Sequence, residues 1–302
     1  MRPPKLSIKD NVRIIRLMEN RNTKGLVLEG GALRGLFTAG ILDVLMENNV
    51  LFDKAAGVSA GAAFGCNYKS HQPGRVLRYN LEYGSDWRYK SFRSLLFTGD
   101  LYGASFCYHK LPEELDVFDA AAFASDPMEF YAVATDVLTG RPVYHKLTDG
   151  GNEDMEWIRA SASMPLASRV VTINGQKLLD GGISDSIPLE FLEKQGCTKN
   201  LVILTQPSDY TKRQYRYRGA IRAALHKYPA LSAALFERHV MYNAQTAYVK
   251  VREDEGSAFV LRPPESLNIG PLENDPREIR RVYDTGRNLA SKKLQQILDF
   301  LS

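Results

Sequence analysis

The sequence predicts an α/β protein with a mostly parallel central sheet, helices on both faces, and a mainly helical C-terminal extension. Three observations lead there. Two strand–turn–helix units follow one another directly, Gly25 to Asn48 and Phe52 to about Tyr68, and consecutive units of that kind build parallel sheets covered by helices. Phe130 to Ala134 and Asn200 to Thr205 are short apolar runs that read as further buried strands. The chain ends on a long apolar stripe at helical spacing, Ile279, Val282, Tyr283, Gly286, Leu289, Leu294, Ile297 and Leu298. A length of 302 residues suits one large α/β domain or two small ones, and 44% apolar content is ample for a core. The expected organisation is an arm at 1–23, an α/β domain at 24–207, and a helical extension at 208–302 packed on the core.

Taken in order, residues 1–23 are polar and charged and read as a loose arm, or as a surface helix around Val12 to Met18. The first unit opens with a strand at Leu26 to Glu29 and turns through Gly30-Gly31-Ala32-Leu33-Arg34-Gly35. It continues as a helix marked by Leu36, Phe37, Ile41, Val44 and Leu45. The second has a buried strand at Phe52 to Ala56, the turn Gly57-Val58-Ser59-Ala60-Gly61, and a helix start at Ala60, Ala62, Ala63 and Phe64. Residues 84–109 crowd Trp87, Tyr89, Phe92, Phe97, Tyr102 and Phe106 beside Arg88, Lys90 and Arg93. The plain reading is a subsidiary helix on the sheet; the sharper one is a mouth or lid over the serine, since such a mixture suits a membrane–water interface.

Phe130 to Ala134 and Val143 to Lys146 read as a hairpin across Thr139-Gly140-Arg141-Pro142, and Trp157 to Ser163 as a helix. Val170 to Ile173 and Lys177 to Leu179, joined by Asn174-Gly175, read as a second hairpin, which delivers Asp180. Tyr210 to Phe236 hold Lys212, Arg213, Arg216, Arg218, Arg222 and Lys227 and no acidic residue, on a helical stripe interrupted by Pro229. A solvated face is the plain reading of that run, and a basic face for anionic headgroups or nucleic acid the sharper one. Ser257 to Leu261 read as a last strand. The final helix starts with Asp275 as N-cap, Pro276 at N1 and Glu278 at N3.

Two turns carry the chemistry. Gly57-Val58-Ser59-Ala60-Gly61 reads G-x-S-x-G, which in a strand–turn–helix setting is a nucleophile elbow. The flanking glycines are expected to relieve a backbone that side chains dislike, and Ser59 would sit at a helix N-terminus, where partial positive charge favours a developing anion. The pattern alone arises by chance in roughly one chain in ten of this length. The loop Gly30 to Gly35 strengthens it, because a Gly-rich turn between strand and helix presents successive N–H groups that bind a phosphate or the oxyanion of ester hydrolysis. Arg34 adds a positive charge beside it, either to meet a lipid phosphate or to pin the loop by hydrogen bonds.

Glu29-Gly30-Gly31-Ala32-Leu33-Arg34-Gly35, then Gly57-Val58-Ser59-Ala60-Gly61, then Asp180-Gly181-Gly182 resemble the three ordered motifs of the patatin-like phospholipase family. Ala160-Ser161-Ala162-Ser163-Met164-Pro165 resembles the segment preceding the third, so the similarity runs from about Lys24 to Cys197. Ala32 stands where the family usually has a third glycine and still supplies an N–H donor. The resemblance implies a three-layer patatin-like fold, with 24–207 as the catalytic domain. It implies a serine carboxylic-ester hydrolase acting on lipid acyl esters as a phospholipase A, lysophospholipase or esterase. Ser59 would be the nucleophile and Asp180 its direct base, with Gly30, Gly31 and Ala32 as the oxyanion hole and Arg34 and Ala60 in support. A carboxylate of ordinary pKa is a poor base for a hydroxyl, so this scheme calls for burial of Asp180. It calls for no metal and no cofactor.

Rival readings remain at this stage. A Ser-His-Asp esterase of another family would use Ser59, Asp180 and then His226 or His239. A nucleotide-binding module would use the 30–35 loop as a near G-x-G-x-x-G, with Asp53 as the ribose-binding acid. A catalytically silent lipid-binding protein is the third. The net charge of +4 is too small to argue nucleic-acid binding and allows peripheral contact with an anionic membrane. Cys66, Cys107 and Cys197 are scattered and odd in number, which suits a reducing, cytoplasmic setting. There is no signal-like apolar segment at the start and no run of about 18 apolar residues, so a soluble or peripheral protein is expected.

Overall fold

The computed structural model describes residues 22–302, and the helix expected around Val12 to Met18 lies outside them. Among the described residues the sheet has eight strands, in the order β5 (Val171–Ile173), β6 (Gln176–Asp180), β3 (Glu129–Asp136), β2 (Lys54–Val58), β1 (Lys24–Leu28), β7 (Lys199–Ile203) and β8 (Ala258–Leu261), with β4 (Pro142–Leu147) also on β3. At its centre β1 (Lys24–Leu28) runs parallel to β2 (Lys54–Val58) and β7 (Lys199–Ile203). Strand β3 (Glu129–Asp136) continues the parallel array beyond β2, and β8 (Ala258–Leu261) beyond β7. Helices cover both faces, so these strands are apolar throughout rather than alternating: Leu26, Val27 and Leu28 are all fully buried. The antiparallel edge is made by β4 (Pro142–Leu147) and β6 (Gln176–Asp180), both on β3, and by β5 (Val171–Ile173) on β6. Asn174 and Gly175 turn β5 into β6 with φ of 49° and 81°, the pair of positive values that a two-residue hairpin of this twist requires.

The parallel strands aim their C-terminal ends at one edge of the sheet, where three loops meet. Strand β1 leads into the Gly30–Gly35 turn and the helix Gly35–Glu47, and β2 into Ser59 and the helix Ala60–Lys69. Strand β6 ends on Asp180 itself.

The 208–302 region is built into the same body, because β8 extends the sheet. The helical stripe expected to break at Pro229 is two helices, Arg218–Ala224 and the 26-residue Pro229–Asp254, which the proline opens. Proline lacks only an N–H that the first turn leaves unpaired, so it starts a helix as readily as it breaks one. The final helix is Pro276–Leu301, and the Asp275 carboxylate caps it by accepting from the Arg277 N–H. It crosses Gly35–Glu47 at two glycines. A Cβ on Gly40 would stand 2.1 Å from the Tyr283 carbonyl oxygen, and one on Gly286 would stand 2.0 Å from that of Phe37. The same crossing is tied by Asp43, whose buried carboxylate accepts from the Tyr283 hydroxyl and from the Gly74 N–H at 2.8 Å.

Because neither backbone at this crossing can give way cheaply, Gly286→Val is expected to destabilise the protein by about 2 kcal/mol or more. A denaturant midpoint within error of the parent value would contradict the close approach.

Candidate active site

Ser59 sits between β2 and the helix Ala60–Lys69 with φ 55° and ψ −121°. The strain therefore lies on the serine, not on the glycines beside it, which keep ordinary φ. The expectation that Gly57 and Gly61 relieve backbone strain is corrected: they are needed for room. A Cβ on Gly57 would meet the Gly61 carbonyl oxygen at 2.6 Å, and one on Gly61 would meet that of Leu28 at 2.3 Å. Gly30 is small for the same reason, since a Cβ there would lie 2.8 Å from Cβ of Ser59. The Ser59 N–H donates to the Ser161 hydroxyl at 2.9 Å, and that hydroxyl donates to the Val133 carbonyl of β3 at 2.6 Å. Ser161 is fully buried, so it fastens the elbow to the next strand out of reach of water.

Asp180 is also buried. Its N–H donates to the Ser163 carbonyl at 2.8 Å, its carbonyl accepts from the Thr135 hydroxyl at 2.8 Å, and its Oδ1 accepts from the Gly182 N–H at 2.7 Å. Gly181 lets the chain pass, because a Cβ there would meet the Val133 carbonyl oxygen at 2.1 Å. Burial pushes the Asp180 carboxyl above its ordinary range; the Arg238 guanidinium, the Ser59 hydroxyl, the Gly182 N–H and Lys212 pull it back down. A carboxylate held in this way is a stronger base than one in water.

The loop beside them shows Ala32 at φ 48°, in the left-handed region that favours glycine. Among the described residues no protein acceptor takes the N–H of Gly30, Gly31, Ala32 or Ala60, so these donors are uncommitted. Glu29 anchors the loop from behind: its carboxylate accepts from the Thr205 N–H at 2.6 Å and from the Tyr242 hydroxyl at 2.8 Å. The Thr205 hydroxyl donates to the Gly30 carbonyl at 2.9 Å. Arg34 does not pin the loop: among the described residues its guanidinium has no hydrogen-bond or ion-pair partner, and its Nε is buried without an acceptor.

Two cavities open on Ser59. One is narrow and mostly apolar, about 90 Å³, lined by Phe64, Tyr79, Tyr89, Leu111, Ile158 and Met164. The other is about 420 Å³ and carries Asp180 with the cations Arg34, Lys212 and Arg238. None of the five histidines lines either cavity. His226 bonds the Ala223 carbonyl and His239 that of Phe236, so the Ser-His-Asp arrangement is not assembled. Asp53 accepts from the Lys24 N–H at 2.8 Å, at the start of β1 and so at the opposite end of that strand from the Gly-rich loop. The ribose-binding role considered for it has no geometry to support it. The described residues hold no group of three or more His, Cys, Asp or Glu that suits a metal ion.

Residues 84–109 divide their labour. Tyr89 and Tyr102 turn inward to line the apolar cavity. The short helix Phe92–Thr98 leaves Phe92, Leu96 and Phe97 exposed at 74%, 80% and 71%.

Sequence reasoning brought Ser59, Asp180, Gly30, Gly31, Ala32, Arg34 and Ala60 to one place, and the structure gathers all of them there. It missed Ser161, Glu29 as an anchor, Tyr242, Lys212 and Arg238. Ser161 lay within a segment singled out for its resemblance; Tyr242 meets Glu29 across 213 residues and Arg238 meets Gly182 across 56, separations that leave no local pattern.

A mostly parallel α/β sheet that sets a strained serine near a buried carboxylate, between an apolar and a basic cavity, has the makings of a lipid hydrolase. The chain belongs to the patatin-like phospholipase family, which it matches over residues 26–192. Residues 228–302 match a second family, described as a domain of unknown function, DUF6363. Among its relatives, the uncharacterized protein YjjU of Escherichia coli K12 is 31% identical over 277 residues, covering 87% of this chain and 74% of that one. Lysophospholipase NTE1 of Eremothecium gossypii is 27% identical over 194 residues, covering 62% of this chain but only 12% of the relative. Among solved structures, VipD from Legionella pneumophila aligns with a TM-score of 0.46 and 12% identity over 91% of this chain and 67% of that one.

Ser161→Ala removes the acceptor of the Ser59 N–H and leaves two buried backbone groups unpaired, each costing about 1–3 kcal/mol. The expected result is a lower melting temperature together with a fall in kcat larger than any change in KM. Parent-like stability and turnover would show that the elbow holds its shape without this bridge.

Proposed function

We propose that the protein is a serine carboxylic-ester hydrolase of lipids, of the phospholipase A, lysophospholipase or esterase type, with Ser59 and Asp180 as a catalytic dyad. The observation that carries this reading is a strained Ser59 that lines the same cavity as the buried Asp180 carboxylate, where an apolar and a polar cavity meet. Asp180 takes the hydroxyl proton as Ser59 Oγ attacks the acyl carbonyl carbon. The negative charge that develops on the carbonyl oxygen is received by the N–H groups of Gly30, Gly31 and Ala32, helped by that of Ala60. Each such donor is typically worth about 100- to 1000-fold in rate. The tetrahedral species collapses, the C–O bond to the alcohol breaks, and protonated Asp180 returns its proton to the leaving oxygen. Water then attacks the acyl-enzyme with Asp180 again as base, and the fatty acid leaves with Ser59 restored. The narrow apolar cavity suits the acyl chain. Arg238 acts as a positioning residue for the base: its Nε donates to the Gly182 carbonyl, and its charge opposes the effect of burial on Asp180.

Ser59→Ala and Asp180→Asn are each expected to abolish hydrolysis of short p-nitrophenyl esters while leaving the fold intact, and Ser59→Ala to abolish labelling by a fluorophosphonate. Undiminished turnover by Asp180→Asn would remove the dyad. The base must be ionised to act, and its pKa is raised, so kcat/KM falls with decreasing pH along a limb lying above the ordinary carboxylate value of about 4. Arg238→Met removes a cation that lowers that pKa and moves the limb to higher pH; a limb that stays in place would separate Arg238 from the base.

The lipid surface is met through the exposed Phe92, Leu96 and Phe97, beside Arg93, whose charge complements an anionic membrane. Among the described residues no helix is long and apolar enough to cross a membrane. The double variant Phe92→Ala, Phe97→Ala is expected to lose activity on anionic vesicles several-fold more than on a soluble short-chain ester. An equal response on both substrates would rule this surface out.

A further inference from the structure

The basic cavity holds more cationic donors than the protein can satisfy. Lys212 lies against aromatic faces, its Nζ 4.4 Å from the Tyr242 ring centroid and 5.6 Å from that of Tyr210. Among the described residues no acceptor or carboxylate pairs with that ammonium group. Glu29, the acid that acts on it most strongly, already accepts from the Thr205 N–H and the Tyr242 hydroxyl. Burial and the neighbouring Arg238 push Lys212 down to about 8, Arg34 adds to this, and Glu29 and Asp180 oppose it. Arg34 contributes a guanidinium whose Nε is buried with no partner. Arg238 is committed to the Gly182 carbonyl and the Tyr215 hydroxyl but adds its charge. Half-buried cations without acceptors leave a positive potential in the cavity, and a counter-ion that enters it supplies the missing acceptors.

The position of that counter-ion follows from the ester. With the acyl chain in the apolar cavity, the alcohol part lies on the other side of Ser59, in the basic cavity. Resting on the hydrolase reading above, we infer that Lys212 and Arg34 form a subsite for a phosphate group carried on the leaving alcohol, so that the preferred substrates are acyl esters of glycerophosphate with an anionic headgroup. Phosphate oxygens supply several acceptors in a tetrahedral array, which one ammonium and one guanidinium can share. A choline-type cation finds no free carboxylate here, since Asp180 and Glu29 are both engaged, and the Tyr242 face is occupied by Lys212.

The test compares lysophosphatidic acid with monoacylglycerol of the same acyl chain, which differ only by the phosphate. The wild-type protein is expected to favour lysophosphatidic acid in kcat/KM. Lys212→Met lowers that preference by roughly tenfold or more, as for loss of one charge-assisted hydrogen bond, and Lys212→Arg retains most of it. A preference equal in wild type and Lys212→Met overturns the subsite while leaving the hydrolase reading intact. Calorimetry on the Ser59→Ala protein, which needs no turnover, separates the two claims. Binding of sn-glycerol 3-phosphate that is lost in the Ser59→Ala, Lys212→Met double variant supports the subsite even where no ester is cleaved. Inorganic phosphate bound through Lys212 as tightly as glycerol 3-phosphate, with no substrate preference, assigns the site to free phosphate and overturns the headgroup assignment.

Discussion

The site depends on how closely backbone can approach backbone at the C-terminal edge of the sheet. Gly30, Gly57, Gly61 and Gly181 each stand where a Cβ would lie within 3 Å of a neighbouring carbonyl oxygen or of Ser59. Real Cβ atoms do not approach so closely, so any larger residue would push the elbow, the loop and Asp180 apart. Their crowding leaves Ser59 no ordinary backbone conformation, and the Ser161 bridge to Val133 holds it in the strained one. Strain of this kind persists only where the surroundings over-determine it.

The same crowding explains the electrostatics. Asp180 is buried because β6 ends under the elbow, with Gly181 passing the Val133 carbonyl. Burial raises its basicity, while Arg238 and the Gly182 N–H keep the ionised form within reach. Neither influence alone serves a general base: desolvation without a cation favours the neutral acid, and a cation without desolvation gives a weak base.

Much of this was legible in the sequence where physics is local. The strand–turn–helix units at 25–48 and 52–68, the Asn174-Gly175 hairpin and the Asp275-Pro276 helix start are set by turn chemistry and apolar spacing within a few residues, and each was read close to its true place. The three glycine-rich motifs marked the site because close approach leaves glycine as its residue. Pro229 marked a true break, between Arg218–Ala224 and Pro229–Asp254, but the 26-residue length of the second helix left no local sign. The glycines of the elbow were read correctly as essential but for the wrong cause. Lys212, Arg238 and Tyr242 were invisible as site residues because tertiary packing, not spacing, brings them to Asp180 and Glu29.

The helix Pro229–Asp254 has a consequence for modularity. It begins beyond the stretch that matches the patatin-like family, yet its Tyr242 secures Glu29 behind the Gly-rich loop and its Arg238 grips the turn after Asp180. A chimera that transplanted residues 26–192 alone would carry every motif and leave behind the struts that brace them. In this protein the heritable unit of the site is therefore larger than the signature by which it is recognised.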